Sequence, residues 1–140
     1  MYTDAPPRPP HATTEPIPDA PWRATMDTDP VLLFRFSALT FNSHRIHYDA
    51  AYATEVEGYA GLVVHGPLTA LHLLELAANH GLTDPGSFGF RATAPAICGT
   101  ELILRGSPGS HGADLAAYTS EGLLVMTATV EHRAAASMHT

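Results

Sequence analysis

Gly66-Pro67-Leu68-Thr69-Ala70-Leu71-His72-Leu73-Leu74-Glu75-Leu76-Ala77-Ala78-Asn79-His80-Gly81 is the stretch that decides the fold. Its polar residues Thr69, His72, Glu75 and Asn79 recur at intervals of three, three and four, and Leu or Ala fills every position between them. A segment of this kind is a helix that is apolar nearly all round, so it must be buried on most sides and can turn only its narrow polar stripe to water. Pro67 suits a first helical position, where a missing N–H costs nothing, and Gly81 suits the place just past the end. The expectation is one long helix over Pro67–His80.

The segments on either side supply strands. Downstream, Ser87–Pro95, Thr100–Gly106, Ala113–Ser120 and Leu123–His132 each have strand character, with Gly106-Ser107-Pro108-Gly109-Ser110 and Ser120-Glu121-Gly122 as turns. Upstream, Leu32, Phe34, Phe36 and Ala38 alternate with Leu33, Arg35, Ser37 and Leu39, a period of two that predicts a further strand. One apolar helix with an antiparallel meander after it implies an α+β fold in which the sheet wraps around the helix, the hotdog architecture.

Length and composition bound what this fold can do. At 140 residues the chain makes one domain with a real core, and 45% hydrophobic residues suit a soluble protein. A net charge of -7 with seven basic residues argues against nucleic acid, whose phosphates call for a basic face. A single cysteine, Cys98, excludes an internal disulfide framework and suits a reducing compartment; with no secretory signal at the start, the expectation is a cytoplasmic protein. The longest apolar run is interrupted by His72 and Glu75 and is too short for a membrane span. Eight of the twelve prolines fall in residues 1–30, so Pro6-Pro7-Arg8-Pro9-Pro10 should be extended and solvated. The expected organisation is an arm or linker over 1–21, a folded unit over 22–133 and a flexible tail over 134–140.

Chemistry concentrates in Thr40-Phe41-Asn42-Ser43-His44-Arg45-Ile46-His47-Tyr48-Asp49 and Val64-His65-Gly66-Pro67. The first block sets a carboxamide five residues before a histidine, and the second opens the long helix on a glycine. Imidazole can move a proton near neutral pH, and a helix N-terminus can receive developing negative charge, which together suit chemistry on an acyl thioester. Taken alone, a histidine at such a place is more often structural than catalytic. His44 is expected to orient the loop and His65 to hydrogen-bond to backbone. Nine histidines invite zinc, but His44-x-x-His47 has no companion ligands at zinc spacing, so no metal is expected. His72 is expected at the surface or in a subunit contact. Arg45 is expected to brace the loop. Arg91 is either a surface charge or a grip on phosphate, for which an arginine fork is suited.

The blocks Leu33-Phe34-Arg35-Phe36-Ser37-Ala38-Leu39-Thr40-Phe41-Asn42, His44–Asp49, Val63-Val64-His65-Gly66-Pro67-Leu68 and Phe90-Arg91-Ala92-Thr93-Ala94-Pro95 follow in order. In them the chain resembles the MaoC-type hydratase and dehydratase branch of the hotdog superfamily. Within that branch, the run from about Trp22 to Thr129 resembles the C-terminal half of double-hotdog proteins of the mesaconyl-CoA hydratase and 3-hydroxyacyl-thioester dehydratase type. The resemblance sets His47 on the family's catalytic histidine and Asn42 on its catalytic aspartate. A carboxamide cannot take a proton near neutral pH, though it can orient water, so the acid–base work moves to His47. The resemblance also implies that the backbone N–H of Gly66 stabilises the thioester oxygen, with His44 and His65 supporting the loop and Arg91 meeting the carrier phosphate.

What the resemblance implies is reversible hydration of a 2-enoyl thioester to a 3-hydroxyacyl thioester, a hydro-lyase activity. No cofactor is implied beyond the CoA or acyl carrier of the substrate itself. A proline-rich linker precedes this half in the double-hotdog proteins, and residues 1–21 are similar to such a linker. The implied partner is a second hotdog, either another copy of the chain or a separate subunit, with neither nucleic acid nor membrane. Two other classes remain open. A hotdog thioesterase needs a carboxylate on the helix near the loop, and Glu75 lies nearly three turns in. A catalytically weak subunit that binds thioesters or a partner chain would account for Asn42.

Overall fold

The computed structural model describes residues 15–133. The predicted extended run Pro6–Pro10 and the tail after residue 133 lie outside them. Five strands, β1 (Trp22–Met26), β2 (Pro85–Ala92), β3 (Leu102–Gly109), β4 (Gly112–Thr119) and β5 (Leu124–His132), form one antiparallel sheet in the order β1-β3-β4-β5-β2. Two α-helices, α1 (Pro30–Thr40) and α2 (Gly66–Asn79), complete the frame. Between them lie a short 3-10 turn at Arg45–His47 and a π-turn at Tyr52–Val56.

Helix α2 is the predicted central helix, and all five strands pack against it. Leu68, Leu73, Leu76 and Ala77 enter a core built with Leu102, Leu104, Leu115, Val125, Met126 and Val130. Each buried leucine contributes about 2 kcal/mol of transfer free energy. The strands keep the sheet's period of two: Leu102, Leu104 and Gly106 of β3 point inward, as do Met126, Ala128 and Val130 of β5. β3 and β4 meet in a tight hairpin with Gly109 opposite Gly112. At φ 149° Gly112 lies where side chains rarely go, and a Cβ there would run into the Val130 carbonyl.

Two sequence expectations change. Residues 32–39 are helical, and the first strand is Trp22–Met26. Asp29 caps α1 by accepting the Leu32 N–H at 2.8 Å, and Pro30 occupies the first turn. The buried positions follow helical spacing, with Leu33 and Ser37 four apart and half-buried Leu32 and Phe36 beside them, while Phe34 is exposed. The alternation of apolar residues was real, but an α-helix reads it with a different period. The stripe on α2 also shifts. Pro67, Leu71, Glu75 and Asn79 form the outer face, and Thr69 is turned inward and buried. Steps of three residues fall short of a full turn, so the stripe drifts around the helix and sets Thr69 about 120° from Glu75.

Candidate active site

His47 closes the 3-10 turn and is buried. Its Nδ1 lies 2.6 Å from the carbonyl oxygen of Val63. A carbonyl only accepts, so Nδ1 carries the proton and Nε2 of the neutral ring keeps a free lone pair. Val63 is itself fixed, because its N–H donates to Ile46 and it bridges to Ile97. Arg45 braces the turn as expected: it pairs with Asp49 at 2.8 Å, and its guanidinium lies 4.2 Å over the Tyr52 ring. Asp49 in turn accepts the Tyr52 N–H.

The ring of His47 stacks on that of His65, with centroids 3.8 Å apart and planes 17° from parallel. His65 is fully buried, and its Nε2 hydrogen-bonds to Ser37 Oγ at 2.7 Å. The partner expected for His65 was backbone; the structure supplies a side chain from α1. Phe36 meets the same ring edge-on. Burial, then the neighbouring His47, push His65 down to about 4. Burial also lowers His47, with the Val63 hydrogen bond opposing and the nearby His44 adding to the depression. Both imidazoles are therefore neutral near pH 7, and His47 remains able to accept a proton.

Gly66 begins α2. In that first turn Pro67 has no N–H, and the amides of Leu68 and Thr69 already donate to His65 O. The Gly66 N–H donates to no acceptor among the described residues. It borders a cleft of about 380 Å³ that it shares with His47, Tyr59, Thr69, Ala92 and Met126. A Cβ on Gly66 would meet nothing closer than Met126 Cε at 3.9 Å, so the protein's own packing does not require glycine there. The added methyl would lie beside Met126, which also lines the cleft.

The remaining predicted residues are placed unevenly. Asn42 does not line the His47 cleft. It borders a second groove of about 320 Å³ along α1 with Phe34, Ser37, Ala38 and Phe41, and its Oδ1 accepts the His44 N–H at 3.1 Å. His44 is exposed, and its ring stands edge-on to His47, which fits a role in orienting the loop. Arg91 is exposed on β2 outside the cleft, next in sequence to the cleft residue Ala92. Glu75 faces outward from α2 and does not line the cleft. Among the described residues no group of three or more His, Cys, Asp or Glu side chains could hold a metal. Sequence reasoning missed Thr69 and Ser37. Thr69 follows Gly66 by three residues, hence on the same helix face, and that spacing was available as a signal.

The family model for hydroxyacyl-thioester dehydratase type 2 matches residues 1–98, which include every residue from Asn42 to Arg91 discussed above. The chain belongs to this family. Mesaconyl-C(4)-CoA hydratase of Chloroflexus aurantiacus is 48% identical over 125 residues, covering 89% of this chain and 44% of that protein. Among solved structures, HtdX of Mycobacterium tuberculosis superposes with a TM-score of 0.69 at 25% identity, over 84% of this chain and 49% of its own. A subunit of the 3R-hydroxyacyl-ACP dehydratase complex HadBC from the same organism shares the fold, with a TM-score of 0.67 at 17% identity over 78% of this chain and 90% of its own. The chain thus spans less than half the length of its mesaconyl-CoA hydratase relative. Within the dehydratase family, the hotdog sheet wrapped around α2 is the expected frame.

Proposed function

We propose that this member of the type 2 dehydratase family reversibly adds water across the 2,3 double bond of an enoyl thioester carried on CoA or an acyl carrier. The observation that carries the reading is one cleft lined by both His47, whose Nε2 is free, and Gly66, whose N–H is unengaged. In hydration, His47 Nε2 takes a proton from water as the oxygen attacks C3. The C2–C3 π electrons move toward the thioester, whose oxygen becomes enolate-like. Gly66 N–H, at the positive end of the α2 dipole, donates to that oxygen. The proton held on His47 is then delivered to C2, and the 3-hydroxyacyl thioester leaves. Dehydration is the same path reversed. The chemistry needs no cofactor beyond the carrier on the substrate.

The kinship with mesaconyl-C(4)-CoA hydratase favours a short, branched dicarboxylic enoyl-CoA as the first substrate to try. Asn42 contacts the acyl group from the neighbouring groove, and Arg91 meets a phosphate of the carrier. We place the activity in the cytoplasm, on the strength of the lone Cys98. The assembly is a pair of hotdogs, either two copies of this chain or one copy with a second hotdog subunit. Among the described residues strand β2 pairs only with β5, leaving a free edge beside half-exposed Phe90, and Leu71 is exposed on the outer face of α2. The placement of Asn42 outside the cleft favours one alternative, a thioester-binding subunit that depends on a more active partner. Loss of enoyl absorbance from a panel of 2-enoyl-CoA esters, with and without a candidate hotdog partner, separates the two. Turnover by the chain alone supports the hydratase. Turnover only with a partner, undiminished by His47→Ala, supports the alternative.

A further inference from the structure

Ser37, His65 and His47 form a continuous buried row. Ser37 lines the α1 groove, its hydroxyl is 2.7 Å from His65 Nε2, and His65 lies face to face against His47, which borders the cleft. Both contacts within the row cross between distant parts of the chain, α1 to the head of α2 and the head of α2 to the 3-10 turn. His65 caps no helix amide with its side chain, and its Nδ1 is buried without a hydrogen-bond partner. An unpaired buried polar atom is costly, and a phenyl ring would fill the same space without that cost. Apolar packing alone therefore does not call for an imidazole here; the bond to the buried Ser37 hydroxyl does.

We propose that His65 is a positioning residue, a buried plate anchored by the Ser37 hydroxyl that holds the His47 ring in the plane where its Nε2 faces the cleft. The inference rests on the hydratase reading above and extends it to how the base is held. The Val63 carbonyl fixes His47 through one ring nitrogen, but one hydrogen bond leaves the ring free to tilt about it. The stack removes that freedom. It also excludes water from one face of His47 and so sustains the burial that keeps the ring neutral. The surroundings add little charge of their own. His44 stands edge-on from the preceding loop, and Tyr59 faces the same cleft. Arg45 and Asp49 neutralise each other, and α2, β2 and β5 contribute Gly66, Thr69, Ala92, Val125 and Met126, none of them charged. Ser37 ties the plate to α1 on the same face that, with Phe34, Ala38 and Phe41, lines the second groove. The orientation of the base is thereby coupled to the packing of that helix.

The test compares His65→Ala, His65→Phe and Ser37→Ala by two readouts. One is the titration midpoint of the His47 ring in the free protein, followed by NMR with labelled histidine. The other is kcat and KM on an enoyl-CoA that the wild type hydrates. His65→Ala opens space beside His47, so its midpoint should rise toward the ordinary value of about 6.5 as water enters. Its kcat should fall about thirty-fold with KM little changed, since misaligned groups lose rate without losing binding. His65→Phe restores the flat face but not the Ser37 anchor, so both readouts should recover from the His65→Ala values to about those of Ser37→Ala. Ser37→Ala should shift both readouts as His65→Ala does, by less. A His47 midpoint unmoved in both His65→Ala and Ser37→Ala, or a Phe variant no better than Ala, overturns the proposal. Should His65→Ala fail to fold, Ser37→Ala decides on the same two readouts. Should the wild type hydrate no thioester, the proposed function fails, while the midpoints still decide whether His65 positions His47.

Discussion

The two grooves of this protein lie on either side of one buried row of residues and differ in kind. The cleft at the head of α2 holds a neutral imidazole with a free lone pair and an unengaged backbone donor. The groove along α1 is walled by Phe34, Ala38 and Phe41, with Asn42 and Tyr48 at its side. Groups that must be neutral, aligned and dry sit at the buried end of α2, where the core over-determines their geometry. The α1 groove lies on a helix that leaves Val31, Phe34 and Leu39 exposed, and it ends in an exposed Phe41. The difference assigns bond-making to the first region and acyl or partner contact to the second.

The largest effect that contrast predicts is at His47. His47→Ala should keep the fold and lower hydration by about two to four orders of magnitude, measured as initial rates. Rates near wild type would move the chemistry out of the cleft. Next is Gly66→Ala. The new methyl has room against the protein, and alanine suits a helix, so melting should be unchanged or slightly higher. Turnover should nonetheless fall about a hundred-fold, because the methyl sits where the thioester oxygen must approach. Asn42 lies in the other groove, so Asn42→Ala should cost about ten-fold or less, and Asn42→Asp should stay active with an altered pH profile. A loss as deep as that of His47→Ala would merge the two grooves into one site.

The contrast was only partly legible beforehand. Helix α2 was visible because eight of its fourteen residues are Leu or Ala and capping signals stand at both ends, and the strand pattern after it followed from alternation and turns. The loop residues His47 and Gly66 stood out by their spacing. Helix α1 was misread because apolar residues at every second position also occupy helix positions four apart, and only Asp29-Pro30, a cap followed by a first-turn proline, argued for a helix. The separation of Asn42 from the cleft could not be read from the chain. It depends on Phe41, which ends α1 in the left-handed region at φ 53° and turns the next residue aside. The Ser37–His65 bond joins residues 28 apart, a distance no local pattern spans.

Smaller effects sharpen the same comparison through stability. In the folded chain His65 binds a proton only near pH 4, whereas the unfolded chain's imidazole does so near 6.5. Between those values the unfolded state holds more protons, so stability falls as the pH drops through the window. From about pH 7 to about pH 5 this group alone should account for roughly 2 kcal/mol, seen in denaturant titrations as a loss that His65→Phe lacks. Smallest is Phe41→Gly. Relief of the left-handed strain should raise stability by up to about 1 kcal/mol, while removal of an exposed aromatic at the α1 groove weakens acyl or partner binding.

The most direct test of the central claim is to bind a saturated acyl-CoA, which cannot be hydrated, and follow backbone amide and histidine ring signals by NMR. The account predicts that the Gly66 amide moves downfield as it donates to the thioester oxygen, and that the His47 ring signals shift with it. Shifts confined to Phe34, Phe41 and Asn42, with Gly66 and His47 unmoved, would place the thioester in the α1 groove and contradict the account.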